Sequence, residues 1–82
     1  PFDPPYVPKE NASGAYRTTF TLSAEATKQR NFLYFEGVDS CFYVWVNGKF
    51  VGYSQVSHST SEFEITSFVA PGENLLSVLV IS

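Results

Sequence analysis

The chain has almost no reactive or redox-active side chains: of its 82 residues one is cysteine, one is histidine, one is tryptophan and none is methionine. A single Cys41 cannot close an internal disulfide, so cysteine usage leaves the compartment open, cytoplasmic or periplasmic. One histidine and one cysteine, far apart, offer no metal-ligand spacing, and no metal or other cofactor is expected in this segment. Lys and Arg number only five against eight Asp and Glu, for a net charge of −3. Scattered cations on an acidic chain exclude a nucleic-acid surface, which needs clustered Lys and Arg. No apolar run is long enough to span a bilayer, and no stretch reads as a signal peptide.

What is present is strand-forming sequence. Hydrophobic residues make up 44% and aromatics 17% of the chain, too much to remain disordered, and Val, Phe, Tyr and Thr favour pleated strands over helices. Eighty-two residues suffice for one small domain with a barely adequate core. Residues 1–14 hold four of the five prolines and read as an extended lead-in. Ala15 to Leu22 alternates with period two, as expected of a strand with one buried face. Phe32 to Phe35 is continuously apolar, which predicts cover on both faces. Ser23 to Arg30 reads as a connecting loop, although Ala24 to Lys28 is compatible with a helical turn.

Asn47-Gly48, flanked by β-branched and aromatic residues, is the strongest local signal. A two-residue type I′ turn needs φ > 0 at both positions, which glycine adopts freely and asparagine tolerates. The arms are then Ser40 to Val46 and Phe50 to Ser54. An unbroken register sets Val46 opposite Lys49, Trp45 opposite Phe50, Val44 opposite Val51 and Phe42 opposite Tyr53. It places Trp45, Tyr43, Phe50 and Gly52 on one face, and Val44, Val46, Val51, Phe42 and Tyr53 on the other. Gln55 to Ser61 reads as a polar loop and Glu62 to Ile65 as a short alternating strand. Thr66 or Ser67 is positioned to cap one helical turn. Ala70 to Asn74 is a turn with Gly72 at φ > 0, and Leu75 to Ile81 is the last strand. About six strands at short spacing predict an all-β antiparallel sandwich.

Candidate chemistry is thin. Glu62 and Glu64, two apart on one strand, are adjacent on one face, which meets the spacing that glycoside hydrolysis asks of two carboxylates but not the environment, a solvated surface. A relay of Ser57, His58 and Asp39 lacks the sharp nucleophile turn such a serine needs. Glu36 and Asp39 read as turn-stabilising groups, Cys41 as a small buried apolar residue within a strand, and Asn11-Ala12-Ser13 as a chance glycosylation sequon. Trp45 and Tyr43 are the aromatics suited to stacking on a sugar, although mid-strand placement predicts that they lie in the core.

Five blocks resemble a known family. They are Gly14-Ala15-Tyr16-Arg17-Thr18-Thr19-Phe20, Phe35-Glu36-Gly37-Val38-Asp39-Ser40, the run from Trp45 to Ser54, Ser61 to Thr66, and Pro71 to Val78. In this order they resemble the sugar-binding domain of family 2 glycoside hydrolases, the group of β-galactosidase, β-glucuronidase and β-mannosidase. Pro4-Pro5-Tyr6-Val7-Pro8 with Glu10-Asn11 is similar to the lead-in of the large β-galactosidases. Two departures fall in surface-type segments: Glu64 where the family usually has Asp, and Ser57 to Thr60 without the usual glycine or proline.

The resemblance implies a jelly-roll sandwich in a multidomain enzyme that acts on a β-galactoside. The other domains are a catalytic barrel, which carries the acid/base and nucleophile glutamates, and immunoglobulin-like domains. No catalytic, cofactor, metal or sugar-contacting residue carries over to a position of this chain. The alternatives are a free-standing carbohydrate-binding module and an interaction domain without a sugar ligand. A jelly roll has about eight strands; six here read as a truncated one with a bare sheet edge. Self-association of the chain is the expected consequence, and light scattering that shows a monomer at high concentration would contradict it.

Overall fold

The computed structural model describes residues 14–35, 40–56 and 61–81. Residues 1–13 of the lead-in, with the sequon, and Glu36, Asp39, Ser57 and His58 lie outside these residues, whereas Gly14 opens the first strand. The described residues form six strands: β1 (Gly14–Leu22), β2 (Phe32–Phe35), β3 (Ser40–Val46), β4 (Lys49–Val56), β5 (Ser61–Glu64) and β6 (Gly72–Ile81). They form two antiparallel sheets, one of four strands in the order β1-β6-β3-β4 and one of two, β2-β5. The predicted all-β sandwich is the fold.

Alternation decides which way each strand faces. Phe20 and Leu22 of β1, Phe42, Val44 and Val46 of β3, and Leu76, Val78 and Val80 of β6 point inward. Leu33 and Phe35 of β2 and Ile65 after β5 meet them from the smaller sheet. The Phe35 ring stacks on Phe42 at 5.0 Å and receives Phe63 edge-on at 5.9 Å, so aromatic contacts join the two sheets at the centre. β2 is not covered on both faces as its apolar run predicted. Leu33 and Phe35 are buried, whereas Tyr34 is exposed and Phe32 carries Arg30 across its ring at 5.0 Å.

The hairpin departs from the expected register. Trp45 pairs with Phe50 and Val46 with Lys49, but Val44 pairs with Gly52, Tyr43 with Tyr53 and Phe42 with Ser54. Val51 is the extra residue of a bulge. Beyond it every side chain of β4 changes face, so Tyr53 joins Tyr43 and Trp45 while Gly52 turns inward. A Cβ on Gly52 would lie 3.0 Å from the Phe63 ring, so this glycine lets the smaller sheet approach β4. Beside it the Ser54 and Ser61 hydroxyls hydrogen-bond at 3.0 Å.

The turns are locked by side-chain amides. Asn47 and Gly48 have φ of 53° and 80°, as the two-residue turn requires, and Gly72 has φ of 93°. Asn47 donates from Nδ2 to the Phe68 carbonyl (2.9 Å) and to Asn74 Oδ1 (2.8 Å). Its Oδ1 accepts from the Leu75 N–H at 2.9 Å. Asn74, fully buried, accepts from the Ala70 N–H and donates to the Ala70 and Gly72 carbonyls. Every polar atom of this buried amide is therefore satisfied.

Further local expectations change: Gln55, Val56 and Ser61 are strand rather than loop, and β6 starts at Gly72 rather than Leu75. Ala24–Thr27 is a four-residue helix, α1, rather than a loop, because the Ser23 hydroxyl accepts from the Ala26 N–H at 3.1 Å. The turn at Thr66–Phe68 is 3₁₀ and begins from Ile65 with no side-chain cap. The Thr66 hydroxyl is engaged elsewhere, accepting from the Asn31 N–H at 2.8 Å.

Gly48 and Gly52 make a testable contrast. Nothing lies within 4 Å of a Cβ on Gly48, so Gly48→Val is destabilising through backbone strain alone. The expected loss is roughly 1–3 kcal/mol. Gly52→Val is destabilising through its clash with Phe63, and only this second loss is partly relieved by Phe63→Leu. Denaturant midpoints of the singles and doubles check both.

Candidate functional site

The predicted carboxylate pair does lie on one face, but on an open one. Glu62 and Glu64 are exposed on the outer side of the two-stranded sheet. Arg30 donates to Glu64 from Nη2 at 3.1 Å and from Nε at 3.4 Å, and the Thr66 hydroxyl donates to it at 3.0 Å. The Arg30 hydrogen bonds foremost, then that of Thr66, hold the Glu64 carboxyl below its ordinary range. A carboxylate held ionised and tied to a cation is poorly suited to donating a proton. Among the described residues no group of three His, Cys, Asp or Glu side chains is placed to hold a metal ion, and no helix is long and apolar enough to cross a membrane.

The chemically distinctive surface is the outer face of the four-stranded sheet. Tyr43 and Trp45 are not in the core. They lie half-buried on this face with ring centroids 6.3 Å apart. Tyr53 packs on Tyr43 at 4.8 Å and Phe50 meets Trp45 edge-on at 5.7 Å, giving a row of four aromatic rings. Phe50 and Tyr53 remain 53% and 46% exposed, so the row is open to solvent. Cys41 also belongs to this face rather than the core. The Cys41 thiol is the main cause that raises the pKa of the Tyr53 phenol.

Beside the row, a groove of about 400 Å³ crosses β1, β6 and β3. Register builds it: Arg17 of β1 lies opposite Ser77 of β6, and Ser77 lies opposite Trp45 of β3. Leu75 and Leu79 flank Ser77, Ala15 lies opposite Leu79, and Gly48 of the hairpin turn borders the groove. Neither Arg17 nor Ser77 attracts notice in the sequence, where one is a polar residue on an alternating strand and the other interrupts an apolar run. The available signal was that β6 is apolar at both parities, Leu75 and Leu79 as well as Leu76, Val78 and Val80. Such a strand does not face water plainly on its second side.

The family is decided by the whole chain. Residues 1–82 match the family described as glycosyl hydrolases family 2, sugar binding domain. The chain belongs to that family. It is 54% identical over 81 residues to a β-galactosidase of Staphylococcus xylosus, covering 99% of this chain and 8% of that protein. A β-galactosidase of Alteromonas mediterranea is 49% identical over 81 residues, with the same shares covered. The chain thus spans about a twelfth of the length of these relatives. Among solved structures, the crystal structure of a β-D-mannosidase from Dictyoglomus thermophilum superposes with a TM-score of 0.74 at 32% identity. That superposition covers 83% of this chain and 8% of the other. The resemblance seen in the sequence is confirmed, and so is the sandwich it implied.

The Glu64 environment sets a pH dependence. A carboxyl whose folded pKa is depressed adds stability that is present above its unfolded pKa, about 4.3, and is lost as pH falls through the folded value. Glu64→Gln is expected to flatten the loss of stability below about pH 4 while changing little at neutral pH, because the pair is exposed. Thermal melts of both proteins across the acid range check this.

Proposed function

We propose that this chain is the non-catalytic jelly-roll domain of a β-galactosidase-like glycoside hydrolase. In this reading it packs against the catalytic barrel and helps to shape the pocket for a β-galactoside. The observation that carries the reading is the 54% identity to a β-galactosidase across 99% of the chain. The site geometry agrees with it. Glycoside hydrolysis by two carboxylates needs a proton donor and a second carboxylate across a cleft, about 5–10 Å apart. Glu62 and Glu64 instead sit side by side on an open face, and Glu64 is bound to Arg30. The chain by itself therefore supplies structure and surface, and the bond-breaking residues belong to another domain.

A chimera tests this directly. Exchanging the matched 81 residues of the Staphylococcus xylosus enzyme for this chain is expected to keep nitrophenyl-galactoside hydrolysis within about tenfold of the parent, less than 1.4 kcal/mol in the barrier. A folded, soluble chimera without activity would overturn the reading. The chain alone is expected to hydrolyse nothing. Activity of the pure chain, abolished by Glu62→Gln or Glu64→Gln, would overturn it as well.

A further inference from the structure

The groove on the outer face of the four-stranded sheet has no role in the galactosidase reading, yet its chemistry is specific. One register row carries a guanidinium, a small hydroxyl and an indole on three adjacent strands, Arg17, Ser77 and Trp45. Neighbouring strands lie about 4.8 Å apart, so the outer two side chains stand roughly 10 Å apart across Ser77. Ser77 is the smallest side chain of the row, and it leaves the space above the sheet open between them. Leu75 and Leu79 wall that space along β6, and its volume of about 400 Å³ falls within the range of small-molecule sites, roughly 300–1,000 Å³.

Among the described residues Arg17 is the only charged side chain that lines the groove. Among the described residues it has neither a carboxylate nor a hydrogen-bond acceptor as partner: the ion pairs of this surface chemistry are Arg30 with Glu64 and Lys28 with Glu25. On a chain of net charge −3, a cation left unpaired beside an aromatic wall complements an anion. A guanidinium holds a carboxylate through two parallel hydrogen bonds. An indole offers a broad apolar surface to a flat apolar ligand face.

We propose that this groove binds an acidic sugar, a pyranose ring that bears a carboxylate. The ring stacks on Trp45, the carboxylate is held by Arg17, and Ser77 forms the floor and offers its hydroxyl. A purely apolar protein partner fits less well, because it would bury the Arg17 guanidinium without a counter-charge. A second copy docked symmetrically would bring the same unpaired cation to the same face. The proposal goes beyond the galactosidase reading and fails separately from it: the chimera reports on hydrolysis, and the measurement below reports on this groove.

Trp45 is the sole tryptophan, so intrinsic fluorescence of the dilute chain reads the proposed site directly. Titration with glucuronate or galacturonate is expected to change the emission saturably, and galactose to bind at least fivefold more weakly. Arg17→Gln, an exposed substitution checked for folding by near-ultraviolet circular dichroism, is expected to lower uronate affinity to the galactose level. Added salt is expected to weaken uronate binding and leave galactose binding unchanged. Ser77→Phe fills the floor and is expected to abolish both responses. The proposal is overturned if no sugar gives a saturable change, if uronate and galactose bind equally, or if Arg17→Gln leaves uronate binding intact. It is also overturned if emission changes with protein concentration alone and sugar has no effect, which would identify the face as an interface between copies.

Discussion

One extra residue in one strand sets the character of both faces of the molecule. The bulge at Val51 reverses the facing of β4 from Gly52 onward. Gly52 therefore points into the sandwich, where the absence of a side chain admits the ring of Phe63. Tyr53 points outward, where it extends the aromatic row of Tyr43, Trp45 and Phe50. With an unbroken register a tyrosine would be driven against the smaller sheet and a glycine would leave a gap in the outer row. Because side chains alternate with period two, no smaller change of register has so large an effect.

Two amide clamps hold the ends of the sandwich in that register. Asn47 and Asn74 tie the hairpin turn to the start of β6 and to the carbonyl of Phe68. Asn31 does the same at the other junction, donating to the carbonyls of Ala26 and Gln29 and receiving the Ile65 N–H on its own carbonyl. Asn31 and Asn74 are buried, and their polar atoms find partners in loop backbone that would otherwise be left unpaired. Residues chosen for turn chemistry thus also fix the relation between distant segments. A core of this size has little stability to spare, which makes such specific polar anchoring valuable.

The two outer faces have opposite chemistry. On the smaller sheet Arg30 lies over Phe32 and binds Glu64, Thr66 completes the cluster, and Glu62 is exposed beside it. On the larger sheet Arg17 stands, among the described residues, without a counter-ion in the groove that Trp45 also lines, and the proposed acidic-sugar site rests on that difference. Membership of a sugar-binding domain family and relatives that act as β-galactosidases suit a surface of that kind.

The fold class, six strands, the Asn47-Gly48 turn and the positive φ of Gly72 were all legible in the sequence, because each rests on local chemistry: alternation, β-branching and the freedom of glycine. The family was legible too, since its blocks run in order along the chain. Facing was not. Whether Tyr53 or Gly52 meets the core depends on a bulge, and no propensity marks Val51 as the unpaired residue. Tyr34, Tyr43 and Trp45 read as core because they are large and apolar, but only the number of layers over each strand decides whether such a residue is covered. Nor does the sequence place Arg17, Ser77 and Trp45 together. They lie on strands far apart in the chain, and they meet only because β6 is inserted between β1 and β3. Local rules set the elements; the order of strands in the sheet, a property of the whole chain, set the site.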